Sequence, residues 1–351
     1  MSYGPNDVVS TRQSHLTALL LGPAVELRRE GESLVVAGEV VEIRLAPAES
    51  VEGWIREIRQ GIVVDESVVP TFFAPALGAL IREKLVGCVP VGWGRAAGRA
   101  DTDPQPDPDG GEKFARAYLD VCDEWAKSVF LSPFWTAFHA GTMPSWQVFT
   151  FLAQLYFRTA GADTHNLAAV ERCRDGLIRP HLERHYREEL GHATILREGL
   201  LACGRGGEEA LAAGPQPAMR AFIDSMVVAA SEPLRYLGCY GVFHAPWTVR
   251  TESDLMAQFE HFTGMYPFAG KAFAAVCSHA RLDYALGHED VVLVRLAREH
   301  GALALDAAGV LSALQGARTA AHGLRAVFDG LQGDEHDHGR QRKHTAITAT
   351  V

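Results

Sequence analysis

What this chain has little of narrows its function before any motif is considered. Its six cysteines, at 88, 122, 173, 203, 239 and 277, never fall in Cys-x-x-Cys spacing. Buried free thiols are therefore expected rather than disulfides or a cysteine zinc site. Basic residues are in deficit, 33 Lys and Arg against 43 Asp and Glu, for a formal net charge of −10. Without clustered Lys and Arg a phosphate backbone is not neutralised, so nucleic acid is excluded as a partner. No apolar run approaches a membrane span, and no basic, apolar and small-residue opening reads as a signal peptide. A cytoplasmic location with no membrane contact is expected. At 47% hydrophobic and 22% charged residues over 351 positions, the chain has the composition of a globular protein with a large core.

Against that background, Pro180–Leu200 (PHLERHYREELGHATILREGL) stands out. It places His181, His185, Glu188, Glu189 and His192 within twelve positions. Read as one helix, offsets of three, four and seven share a face, so His185, Glu188 or Glu189, and His192 form a polar stripe. A solvated helix face usually carries Lys and Glu; imidazoles mixed with carboxylates are donors suited to iron, manganese or zinc. Glu189-x-x-His192 also has the spacing by which carboxylate-bridged dimetal bundles set an oxygen beside a nitrogen ligand. The competing reading is a plain polar helix face.

Composition divides the chain. Residues 14–93 read as a small α+β domain, with strands in Val25–Gly31 and Leu34–Leu45, a third strand at most, and helices near Ser50–Gln60 and Pro75–Val86. Residues 94–112, rich in Gly, Pro and Asp, read as a flexible linker. From 113 to 331 the periodicity is helical, in Phe114–Phe130, Ser145–Thr159, Asp163–Arg174, Pro180–Ala202, Ala218–Gly238, Glu252–His279 with a break near Pro267, and Asp290–Leu314. An all-α bundle follows. The tail, 332–351, with its DEHDHGRQRKH run, is expected to be disordered.

Two resemblances sharpen this. GPAVELRREGESLVVAG and ALGALIREKLVG resemble the winged-helix-like domain that recognises leader peptides in enzymes modifying ribosomally made peptides. The resemblance implies capture of a precursor peptide, its leader added as a strand to an exposed sheet edge. An unrelated packing or dimer-contact domain is the alternative. Leu131–Met143, Phe151–Phe157 and Glu188–His192 resemble the haem-oxygenase-like bundle, a superfamily that includes thiaminase II-like proteins, pyrroloquinoline-quinone synthase and non-haem diiron oxidases. The expected fold is thus a winged-helix-like α+β domain followed by an all-α haem-oxygenase-like bundle.

The diiron branch takes a Glu with a His from one helix, a Glu from a second and a His-x-x-x-Asp-x-x-His run from a third. By resemblance, Glu189 and His192 match the first, with Glu188 and His185 as alternates, and Glu232 in AASEPLRY matches the second. His279 and Asp283 open the third, but Leu286 stands where the last ligand belongs. His288, just after Gly287, reaches the site only through a helix break. The implied protein is a homodimeric oxidase with two Fe(II) ions, the second incompletely ligated at Leu286, and dioxygen as co-substrate. It hydroxylates, desaturates or oxidatively cleaves a precursor peptide. Two alternatives stay open. One is a metal-free enzyme resembling pyrroloquinoline-quinone synthase or thiaminase II, in which Tyr156–Arg158 and Arg174–Arg179 supply acids, bases and charge. The other is a non-catalytic protein presenting the peptide to other pathway enzymes. His139, His165 and His261 have no ligand spacing and read as hydrogen-bonded core or surface histidines.

Overall fold

Six strands, where two or three were expected, fill the N-terminal unit of the computed structural model, which describes residues 16–39, 41–45, 48–65, 69–91, 108–243, 251–286, 292–300, 306–332 and 345–348. The Leu34–Leu45 run divides into β3 (Ser33–Ala37) and β4 (Val41–Leu45), because the chain turns back at Gly38, whose N–H donates to Val41 O at 2.8 Å. β2 (Glu26–Glu30) pairs antiparallel with β3, and β3 with β4. A second sheet sets β1 (Leu16–Leu21) between β5 (Ile62–Asp65) and β6 (Val86–Val91), all antiparallel. β1 escapes a period-two reading because both of its faces are buried. Leu19 and Leu21 join the unit's own core with Ile43, Ile55, Ile58 and Leu80, while Ala18 and Leu20 join the core of the helices. The helices α1 (Ala48–Gln60) and α2 (Ala74–Arg82) lie close to their expected positions.

Part of the expected disordered tail is a strand. β7 (Thr345–Thr348) runs parallel to β4, with Thr345 opposite Val41 and Thr348 opposite Arg44, and completes the order β2-β3-β4-β7.

The remainder is helical: α3 (Pro108–Phe130), α4 (Pro133–His139), α5 (Ser145–Arg172), α6 (Arg179–Glu189), α7 (His192–Leu201), α8 (Arg205–Ala212) and α9 (Pro217–Ala229). Then come α10 (Pro233–Phe243), α11 (Glu252–Met265), a short 3-10 turn (Pro267–Ala269), α12 (Gly270–Leu286), α13 (Val292–His300) and α14 (Ala307–Leu331). Three expectations are corrected. α3 starts inside the expected linker, at Pro108, a residue suited to a first helical turn, and its buried Gly110 and Gly111 let α13 pack closely. α5 is continuous through Gly161, where two helices were read. Pro180–Ala202 is two helices, interrupted at Leu190 and Gly191. Among the described residues no helix is long and apolar enough to cross a membrane.

The two units are packed together. β1 and β6 lie on α3 and α14, Val89 and Val91 entering the same core as Tyr118, Trp125 and Val310. Gln315 Nε2 donates to Gln60 O at 3.1 Å and Arg318 Nη1 to Arg59 O at 2.6 Å. Arg325 reaches both Glu39 and Ser128 O. The arrangement that a flexible linker leaves open is thereby fixed by a shared apolar wall.

Candidate metal centre

Glu189 is the last residue of α6 and His192 the first of α7. Between them Gly191 takes φ +86°, a left-handed conformation that favours glycine. The Glu-x-x-His unit is therefore a corner rather than a helix face, and the corner turns both side chains toward α12. There Asp283 stands between two imidazoles, Oδ2 3.2 Å from His279 Nδ1 and Oδ1 3.6 Å from His192 Nδ1. Glu189 Oε2 lies 3.5 Å from the same His192 nitrogen. The His192 and His279 rings meet edge to face at 5.1 Å.

Glu189, His192 and His279 each offer one ligand atom, and the three atoms lie within 4.8 Å of one another. Separations of 3.5 and 3.6 Å exceed a hydrogen bond. They suit donors that share an ion, since metal bonds of about 2.0–2.2 Å place two ligand atoms roughly 3.0–3.5 Å apart. His279 supplies a further sign: its Nδ1 faces Asp283 while its Nε2 is buried without a hydrogen-bond partner. A second-row carboxylate holding one imidazole nitrogen fixes the tautomer and frees the other for a metal. The donor set fits a first-row divalent ion.

The surroundings carry excess negative charge. Asp163, on α5, is held above the usual carboxylate range by burial and then by Glu189, with His192 opposing. Arg158, also on α5, is lowered by burial, while Asp283 and Glu189 act to keep it charged. A divalent cation would relieve this crowding of carboxylates. Beneath the cluster lies a hydrogen-bonded layer. His165 Nδ1 meets Tyr236 Oη at 2.6 Å, Tyr236 donates to Asn166, and Tyr240 donates to Asn166 Oδ1 at 2.8 Å. Burial, then His185, pushes His165 down to about 3. His165, expected as a hydrogen-bonded core or surface histidine, lies in the core.

The other sequence candidates are dispersed. His185 is buried one turn before Glu189, its ring edge-on to Tyr240 at 4.8 Å. Glu188 turns to Arg184, whose Nε donates to it at 2.8 Å. Glu232, expected as the buried ligand of a second helix, is exposed just ahead of α10, near Arg235 at 3.4 Å and Ser312 at 3.2 Å. From α10 itself, Tyr236 and Tyr240 occupy the interior instead. His288 lies outside the described residues. Of the sequence candidates, Glu189, His192 and His279 assemble as one group of three donors. A second small group, His181, Glu299 and His300, lies partly exposed, with both histidines 3.9 Å from Glu299. Sequence reading missed Asp163, because a helix break was placed at Gly161 and Asp163 was not read together with Arg158 and His165.

No known family profile matches the chain, and no curated protein matches it. Solved structures do. One, titled a domain of unknown function with a heme oxygenase-like fold, from Shewanella denitrificans, has 15% identity and a TM-score of 0.49, covering 62% of this chain and 90% of that one. Another, a TenA homolog from Pseudomonas syringae pv. tomato, has 14% identity and a TM-score of 0.47, covering 66% of this chain and 97% of that one.

Proposed function

We propose that this protein is an oxidoreductase that holds one iron(II) at Glu189, His192 and His279, uses dioxygen, and modifies a ribosomally made peptide. The observation that carries the reading is the convergence of those three ligand atoms from three helices, with His279 Nε2 buried and unsatisfied. Bound iron supplies open coordination positions and electrons for dioxygen chemistry. The chain's own groups do the rest. Asp283 orients His279 through Nδ1, and the Tyr236, Tyr240 and Asn166 layer closes the floor against water. For the peptide, β4 offers a sheet edge that already accepts a strand, the chain's own Thr345–Thr348. A leader held there raises the local concentration of the segment to be modified.

Anaerobic loading with Fe(II), desalting and iron analysis test this. Close to one iron per chain is expected, lost in Glu189→Ala, with a visible absorbance change on mixing with air-saturated buffer. No retained iron ends the oxidase reading. Arg158, half-buried and electrostatically coupled to Glu189 and Asp283, favours as second reading a metal-free enzyme; product formation that is lost in Glu189→Ala while metal content never matters would support it. A peptide-presenting protein would leave product formation in a reconstituted pathway unchanged.

A further inference from the structure

A cavity of about 440 Å³ lies among α4, α5, α11, α12 and α14. Its wall is largely aromatic, with Trp135, Phe151, Phe262, Phe273 and Phe328, and the exposed Leu131 and His139 mark its mouth. Among the lining residues one is permanently charged: Arg158. Phe151, Leu155 and Arg158 stand at i, i+4 and i+7 of α5, so a single helix face carries ring, methyl groups and guanidinium in succession. Val276, which also lines the cavity, precedes His279 by three residues on α12, so cavity and metal centre share that helix.

Arg158 makes no hydrogen bond or ion pair among the described residues. Its Cζ rests 5.4 Å from the centre of the Phe243 ring, which leaves its planar set of donors available. Trp135 Nε1, in the same wall, is buried with no hydrogen-bond partner. With Asp283 and Glu189 acting on it only at longer range, the guanidinium keeps its hydrogen-bond donors open, and a carboxylate meets them with two parallel, charge-assisted hydrogen bonds. An apolar wall with so few polar groups selects an apolar remainder.

We propose that the cavity takes the carboxylate end of an apolar or aromatic chain, with Arg158 receiving the carboxylate beside the metal centre. This deepens, and for the chemistry that follows binding rests on, the reading of Glu189, His192 and His279 as that centre. The carboxylate has two sources, the C-terminus of a captured peptide or a free arylalkanoic acid, and Arg158 treats them alike.

Titration calorimetry on the full-length, zinc-loaded chain distinguishes them, with N-acetyl-leucyl-phenylalanine, its C-terminal amide, and 4-phenylbutyrate as probes. The acids should bind at least about tenfold more tightly than the amide. Arg158→Gln should erase that preference, and Arg158→Lys should keep part of it. Equal binding of acid and amide to the native chain, or a preference intact in Arg158→Gln, overturns the proposal. If Arg158→Gln does not fold, Val276→Trp, which narrows the cavity and leaves Arg158 in place, must weaken both acids; unchanged binding again overturns it. A tighter peptide acid identifies the peptide C-terminus as source, a tighter phenylbutyrate the free acid. Zinc is quantified in the same samples. Acid preference without retained zinc sinks the metal-centre reading alone, and retained zinc without acid preference sinks this one alone.

Discussion

Glu189 Oε2 and His192 Nδ1 stand 3.5 Å apart across the end of one helix and the start of the next. Their spacing is set by the backbone corner at Gly191, φ +86°, where a Cβ would meet nothing within 4 Å. Gly191→Ala therefore costs only the left-handed conformation, roughly 1–2 kcal/mol. Gly214, φ +75° and equally unobstructed, provides the control. Both alanine variants should lose similar thermal stability, but only Gly191→Ala should lose bound iron as well. Equal iron retention in the two would detach the corner from the metal centre.

Glu232 gives the converse test. It is exposed, and its contacts are with Arg235 and Ser312 at the surface. Glu232→Ala should shift stability by no more than about 0.5 kcal/mol, as surface pairs do. Iron per chain should be unchanged; a fall would return Glu232 to the ligand set.

Leu286→His restores the His-x-x-x-Asp-x-x-His run on α12. A second ion also needs a carboxylate from a facing helix, and Glu232, the one expected there, is exposed against Arg235 and Ser312. Iron stoichiometry should stay near one. A rise to two would show that the single missing ligand was the obstacle.

How far these features could be read from sequence depended on which physical signal carried them. The helical region was legible because its apolar positions recur at helical spacing, and Glu189, His192, His279 and Asp283 were legible because ligand types cluster at short offsets. β1 was not, since a strand buried on both faces loses its alternation. Glu232 misled because a carboxylate among Ala, Ser and Leu looks buried, whereas Pro233 starts α10 just after it and leaves Glu232 outside. Arg158 and Asp163 were separated by a Gly-Ala pair that reads as a loop and is helix within α5. Tertiary packing decided each of these, and packing partners are distant in sequence.

His165 makes stability pH-dependent in a stated direction. Burial holds its folded pKa at about 3, below its ordinary value of 6.5, so the unfolded chain binds the extra proton. Stability is full above about pH 6.5 and falls as pH drops toward 3, at roughly 1.4 kcal/mol per pH unit. By pH 5 the loss from this one group is about 2 kcal/mol. His165→Gln should be less stable at pH 7, because the contact with Tyr236 changes, yet lose less between pH 7 and 5. Parallel denaturation curves for both proteins over that range would remove His165 from the account.

The β4 edge makes the last prediction. Its partner is the chain's own Thr345–Thr348, in parallel register, so an external peptide must displace a tethered strand. Tethering gives an effective concentration on the order of 1 mM. If the free segment binds at ~10–100 µM, the tether weakens an external competitor about 10–100-fold. A fluorescein-labelled peptide spanning residues 341–351 is the probe, titrated into the full chain and into a chain ending at Gln332. Anisotropy should report clear binding to the truncated chain and at least tenfold weaker binding to the full one. Equal affinities would mean that β7 does not guard the edge. No binding to either would mean that the edge takes no strand in trans, and the peptide-capture reading would lose its structural support.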